Sequence, residues 1–219
     1  MTPARIGLAG YGRGGRYFHA PLIGLAPECT LAAVVTRNPR RRAEPAQDLP
    51  GVPAADSLRD LAAAGASAVV ITTLTPGGFD DGFFLSLRHA GGVVSHLRGD
   101  WALRGAPGPR FRVTGSTGTF AVESDDGQAE WLLSGRDPRD GAFGTVPEAR
   151  WGRIYCGEDA EPEPVPAERG RWSGFYSAFA RAVRGEGPLP VDPRDAVAAL
   201  EVLDAARLSA ARGEVVRLS

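Results

Sequence analysis

Short apolar runs punctuate the first third of the chain, each closed off by glycine, proline or a polar cluster. Residues 6–9 are the first, residues 30–36 (TLAAVVT) the second and residues 67–73 (SAVVITT) the third, with a weaker run at residues 52–54. Continuous runs rich in β-branched side chains predict strands buried on both faces. Helical signals lie between them. One helix begins after Gly15. Another spans residues 56–64, where Ser57 can cap, Asp60 sits three residues later, and Leu58 and Leu61 supply an apolar side. Pro39 and Pro45 make residues 38–48 a poor helix. Alternation of strand and helix predicts a parallel sheet with right-handed crossovers. The fourth strand then forms an apolar edge. The hairpin sheet covers it, a partner does, or the chain is poorly stable.

After Thr73 the period changes. Residues 81–88 and 93–101 alternate on either side of Ala90-Gly91-Gly92, which predicts an antiparallel hairpin. Residues 110–114 and 119–123 form a second across Gly115-Ser116-Thr117-Gly118. Residues 128–133 read as a short helix, and residues 135–170 as a mobile, loop-rich surface segment. Residues 172–184 are helical, with Phe175, Phe179 and Val183 on one face. Asp192 and Pro193 open a last helix that runs to about Ala211 and stops at Gly213, before a closing strand at residues 215–218. The expected class is α/β. A truncated parallel sheet of about four strands, residues 1–76, forms a partial dinucleotide-binding domain. Residues 77–219 form a partial α+β substrate or oligomerisation domain with a mainly antiparallel sheet.

The chemistry concentrates at residues 5–22 (RIGLAGYGRGGRYFHAPL), where a strand runs into Gly10, Gly12 and Gly15 and then a helix. Each glycine of this G-x-G-x-x-G spacing has a task. Gly10 permits the tight turn, Gly12 lets a pyrophosphate reach the backbone, and Gly15 lets helix and strand pack closely. Arg13 and Gly14 complete the phosphate loop. Past the second strand stand Thr36 and Arg37, then Arg40, Arg41 and Arg42, with no carboxylate near. An acidic residue there would bond the 2′-hydroxyl of NAD, whereas a cationic cluster suits the 2′-phosphate of NADP. The other reading of the cluster is a solvated basic turn.

Composition adds two limits. A net charge of −1 gives no reason to expect a nucleic-acid or membrane partner. No apolar run is long enough for a span, and the chain enters a strand almost at once, leaving no room for a signal peptide. Cys29 and Cys156 lack metal-ligand spacing and fit a reducing cytoplasm. More telling, all 25 basic residues are arginines. A guanidinium does not titrate in proteins, so no mechanism that needs a catalytic lysine is open to this chain.

The segment GYGRGGRYFHAPLI resembles the start of the Gfo/Idh/MocA oxidoreductases, NAD(P)-dependent dehydrogenases of sugars and polyols. Phe18-His19-Ala20-Pro21-Leu22 resembles the NADP-dependent scyllo-inositol dehydrogenase branch. The resemblance covers residues 1–76 and resumes over residues 79–219, including Ala106-Pro107-Gly108-Pro109-Arg110-Phe111 and Asp126-Gly127-Gln128. The middle of the family sequence is missing between them. With it go the family's Glu-Lys-Pro motif and the Asp/His pair that handles the substrate hydroxyl. Thr72-Thr73 matches the nicotinamide-side turn, with Leu74 where a proline is usual. The resemblance also implies association through the open face of the second sheet, hence a homodimer.

Hydride transfer to or from an alcohol needs a proton carrier at the carbinol. The candidates are Tyr17, His19, His89, His96, Asp80, Asp81 and Asp100. His19 follows the phosphate loop and either faces the cofactor or packs. His96, Arg98 and Asp100 share a strand face and read as a surface charge network. No spacing marks a catalytic pair, and no metal site is expected. Three functions follow: an NADP-dependent oxidoreductase, impaired without the family's lysine and histidine; a non-catalytic nucleotide-binding or oligomerising pseudoenzyme; or an internally deleted product with no function of its own.

Overall fold

A computed structural model describes residues 2–72, 82–100, 108–157 and 161–218. The chain divides into two compact units, Met1–Leu74 with Gly108–Pro188, and Thr75–Pro107 with Leu189–Ser219.

The first unit is built on a parallel sheet in the order β3-β2-β1-β4. Its strands are β1 (Ala4–Ala9), β2 (Cys29–Val35), β3 (Ala54–Ala55) and β4 (Ala68–Ile71). β1 pairs with β2 from Ala4↔Cys29 to Ala9↔Val35, and with β4 from Ile6↔Ala68 to Ala9↔Ile71. Successive side chains of a strand face opposite ways, so the two faces collect different partners. On one face Ile6 packs with Leu22 and Ile23 of α1 (Ala20–Leu25). Leu132 of α4 (Gln128–Leu133) and Tyr176 and Ala180 of α5 (Gly174–Val183) join the same cluster. On the other, Ala9, Ala33 and Val35 close on Leu61 of α3 (Leu58–Ala63). Ser57 caps α3 as expected, its Oγ accepting from the Asp60 N–H. Leu61 is fully buried, but Leu58 is 53% exposed and takes no part in the expected apolar side. β4 stands at the edge of the sheet, and its Ile71 is 66% exposed.

Residues 38–48 form no continuous helix but carry two short helical pieces. A 3-10 turn, Pro39–Arg41, leads into α2 (Glu44–Asp48). Each proline falls within the first two helical positions, where its missing N–H has no intrahelical partner to lose and its fixed φ suits the helix.

The unit also carries an antiparallel sheet in the order β10-β9-β8-β7. β7 (Phe111–Thr114) and β8 (Thr119–Val122) form the expected hairpin. β9 (Gly152–Tyr155) and β10 (Glu163–Val165) extend it from within the segment expected to be loose. Most of that segment is irregular, as its composition reads, yet part of it is not surface. Phe143 and Val146 are buried, and the Arg169 guanidinium donates to the carbonyls of Gly141 and Phe143, so dispersed apolar residues anchor a segment of loop-like composition. α5 also turns differently from expectation. Tyr176 and Ala180 face the core, whereas Phe175 and Val183 are largely exposed.

In the second unit β5 (Gly82–Arg88) and β6 (Val94–Asp100) form an antiparallel hairpin in register Gly82↔Asp100 to Arg88↔Val94. α6 (Pro193–Arg212) starts at Asp192, whose carboxylate accepts from the Arg194 N–H, and ends at Gly213 in the left-handed region. Residues 215–218 form no strand, with Val215 almost wholly exposed.

Candidate functional site

The glycine loop lies between the end of β1 and a helical backbone that runs unbroken from residue 13 to residue 25. Its first part, Gly14–His19, is a π-helix that passes directly into α1. Gly10 adopts φ 109°, a conformation that L side chains avoid. Its N–H donates to the Val35 carbonyl at 2.8 Å, which ties the loop to the end of β2. From the opposite neighbour, Thr72 Oγ1 donates to the Gly10 carbonyl at 3.0 Å, and the Thr72 N–H donates to the Ala9 carbonyl at 2.9 Å. Gly15 is buried against Gly10 so closely that a Cβ on it would collide with the Gly10 carbonyl oxygen. No side chain caps the helical start at Arg13.

The structure thus brings Gly10, Gly12, Gly14, Gly15 and Thr72 together, with Arg13 exposed beside them. Thr36 is buried directly after β2, and Arg37 is exposed beyond it. Arg42 is drawn aside to Asp56 at 3.4 Å, an exposed pair of small energetic weight. Thr73, Asp80 and Asp81 lie outside the described residues.

Two contacts at the loop were not legible in the sequence. Asp48, at the end of α2, accepts from the Tyr11 hydroxyl at 3.1 Å and pairs with Arg16 Nε at 2.8 Å, while Glu44 lies 3.4 Å from Arg16. Burial, and then Asp48, push the Tyr11 phenol well above its usual range. The i, i+4 spacing of Glu44 and Asp48 was the available signal. The second contact is Arg41, whose Nη1 lies 3.0 Å from where a Cβ on Gly12 would stand. A cavity of about 430 Å³ behind the loop is lined by Tyr11, Arg16, Tyr17, Asp48, Asp137 and Arg139, among others. Its arginines pair with its aspartates, so it offers no unbalanced charge.

His19 packs. Its Nδ1 lies 2.6 Å from the Tyr176 hydroxyl, and burial lowers the imidazole pKa. Burial pushes the Tyr176 phenol up to about 12, so the phenol stays protonated beside the imidazole. The unfolded state therefore binds the His19 proton more tightly than the folded state does. Stability rises as pH climbs through the folded pKa towards the model-peptide value of about 6.5 and then levels. We expect the wild-type melting temperature to fall more steeply below pH 6.5 than that of His19→Gln. Parallel curves would show that the pair carries no such linkage.

Three further candidates lie in the second unit. His89 Nε2 lies 2.8 Å from Ser95 Oγ, His96 stacks on Phe84, and Asp100 lies 4.0 Å from Arg98. Among the described residues no group of three or more His, Cys, Asp or Glu could hold a metal ion, and Cys29 and Cys156 are both free. No helix of the described residues is long and apolar enough to cross a membrane.

The pattern of the oxidoreductase family's C-terminal alpha/beta domain (GFO_IDH_MocA_C) matches residues 22–218. The chain belongs to the Gfo/Idh/MocA oxidoreductase family. A curated relative is the scyllo-inositol 2-dehydrogenase (NADP(+)) IolW of Bacillus subtilis, 29% identical over 116 residues. That match covers 52% of this chain and 32% of IolW, so the chain matches about a third of that relative's length. Among solved structures, the candidate oxidoreductase yvaA of Bacillus subtilis superposes with a TM-score of 0.80 at 16% identity, over 99% of this chain and 98% of that one. A candidate oxidoreductase of Klebsiella pneumoniae gives 0.78 at 19%, over 100% and 96%. The UDP-N-acetylglucosamine 3-dehydrogenase GnnA of Acidithiobacillus ferrooxidans gives 0.59 at 15%, over 95% and 97%. At these identities the structures share a fold, and the parallel sheet with separate antiparallel strands is the Gfo/Idh/MocA one.

Proposed function

We propose that this Gfo/Idh/MocA chain binds a nicotinamide dinucleotide, NADP in preference to NAD, as an oxidoreductase of the sugar and polyol type. One observation carries the reading. The loop's four glycines, Gly10, Gly12, Gly14 and Gly15, are joined through Val35 to Thr36 and to an Arg37 that no carboxylate among the described residues pairs with, where an NAD-binding fold would present a carboxylate. The name of IolW includes NADP(+) and agrees with it. Gly10, Gly12, Arg13, Gly14 and Gly15 hold the diphosphate, and Thr36 and Arg37 hold the 2′-phosphate. Arg42 stands by, and Thr72 and Thr73 bound the nicotinamide side. The bound nicotinamide supplies hydride transfer.

The chain's own proton chemistry is thin. It has no lysine, and His19 spends Nδ1 on Tyr176. This favours a second reading, a pseudoenzyme that binds the nucleotide or oligomerises without turnover. In either case we place the chain in the cytoplasm. A homodimer forms through the β7–β10 sheet, where Phe111 and Val113 are exposed.

Titration by nicotinamide fluorescence tests the proposal. NADPH should bind at least about tenfold more tightly than NADH. Arg37→Asp removes charge-assisted bonds to the phosphate and adds repulsion, so NADPH affinity should fall about 100-fold while NADH stays within a few fold. A folded protein that binds neither cofactor would sink the enzyme and the nucleotide-binding pseudoenzyme alike and leave only an oligomerising subunit. Turnover across a polyol panel separates enzyme from pseudoenzyme.

A further inference from the structure

We propose that Arg41 closes over the glycine loop and clamps the diphosphate of the dinucleotide, leaving the 2′-phosphate to Arg37. This rests on the cofactor-binding reading above and divides the work between two arginines of one cluster.

Gly12 is the glycine whose bare backbone admits a diphosphate. A Cβ built there would meet one atom within 4 Å among the described residues outside its own chain neighbours, Arg41 Nη1 at 3.0 Å. The guanidinium therefore already stands on the diphosphate's approach. It is also free to take an anion. Arg16 is held by Asp48 and Glu44, and Arg42 by Asp56, whereas no carboxylate among the described residues pairs with Arg41. Its guanidinium fork matches two phosphate oxygens at once.

The backbone beneath it is held. The Asn38 side chain accepts from the Arg40 N–H at 3.0 Å, and the Asn38 carbonyl accepts from the Arg41 N–H at 3.0 Å. Pro39 sets φ at the start of this 3-10 turn. The turn follows β2, whose Val35 carbonyl is bonded to Gly10. Glycine loop and arginine thus share one anchor, and a long flexible stem lets the guanidinium yield to the ligand and then close on it. Arg37 sits one residue past Thr36, at the position from which the 2′ substituent is read.

Two probes separate these roles in the full chain by calorimetry. ADP-ribose carries the diphosphate without a 2′-phosphate, and 2′,5′-ADP carries the 2′-phosphate without a diphosphate. Arg41→Ala should weaken ADP-ribose about tenfold and 2′,5′-ADP less than threefold. Arg37→Ala should do the reverse, and Arg41→Lys should restore part of the ADP-ribose loss. Because Arg41 is exposed and unpaired, its loss should leave the melting temperature unchanged. Wild-type binding of both probes with Arg41→Ala indistinguishable from it overturns the clamp alone. So does an Arg41→Ala variant that loses 2′,5′-ADP instead of ADP-ribose. A wild-type chain that binds neither probe overturns the cofactor reading and the clamp with it.

Discussion

Replacing Gly15 by alanine should cost about 3 kcal/mol of stability, at the upper end for overpacking a closed site. The same replacement at Gly14 should cost nothing. The two glycines are adjacent and helical, and neither has a positive φ, so backbone conformation does not separate them. Their surroundings do. A Cβ on Gly15 runs into the carbonyl oxygen of Gly10, which is backbone. Gly10 cannot retreat, because its N–H is bonded to Val35 and its carbonyl to Thr72. A Cβ on Gly14 meets the Thr72 Cβ at 3.6 Å, an ordinary contact, and alanine gains about 0.5–1 kcal/mol over glycine in a helix interior. Urea denaturation of the two variants checks this. Equal losses would mean that close approach to the Gly10 carbonyl is not what requires Gly15. The contact that would clash is the one that shapes the glycine loop.

Leu61→Ala should be of similar size, about 3–4 kcal/mol, within the range for buried leucine truncations. Leu61 is 0% exposed and fills the space between α3 and the sheet face formed by Ala9, Ala33 and Val35. Opposite it stands Gly7, where a Cβ would lie only 3.1 Å from Leu61 Cδ1. The lining is almost all glycine, alanine and valine. Such short side chains cannot swing in to fill a void, so the cavity stays and its contacts are lost. Leu58→Ala, three residues away on the exposed side, should cost under about 1 kcal/mol. Denaturation midpoints of the two variants decide it. A small Leu61 effect would show that α3 closes down on the sheet when the side chain is cut.

Features set by a residue and its near neighbours were legible in the chain. The strand–glycine–helix order, the Ser57 and Asp192 caps and the Gly213 stop all depend on spacing within a few residues, and they formed as spelled out. The alternation that marks the hairpins is equally local. The family resemblance in residues 10–23 belongs with these, because it is carried by one contiguous stretch.

Orientation was decided elsewhere. Phe175 and Val183 are more apolar than Tyr176, yet Tyr176 is buried, because His19 takes up its hydroxyl and Ala180 one turn on leaves room for close packing. Phe143 holds a loop-like segment in place through residues far along the chain, which local composition does not register. Three consecutive arginines are alike as sequence. Asp56 takes Arg42, Gly12 lies under Arg41, and Arg40 is left to solvent. By itself the sequence determined the strand–glycine–helix order, the two hairpins and the helix caps. The tertiary structure decided which side chain meets which, because burial and pairing depend on what the fold sets opposite each residue, and such partners stand 26 residues apart for Arg169 and Phe143 and 157 for His19 and Tyr176.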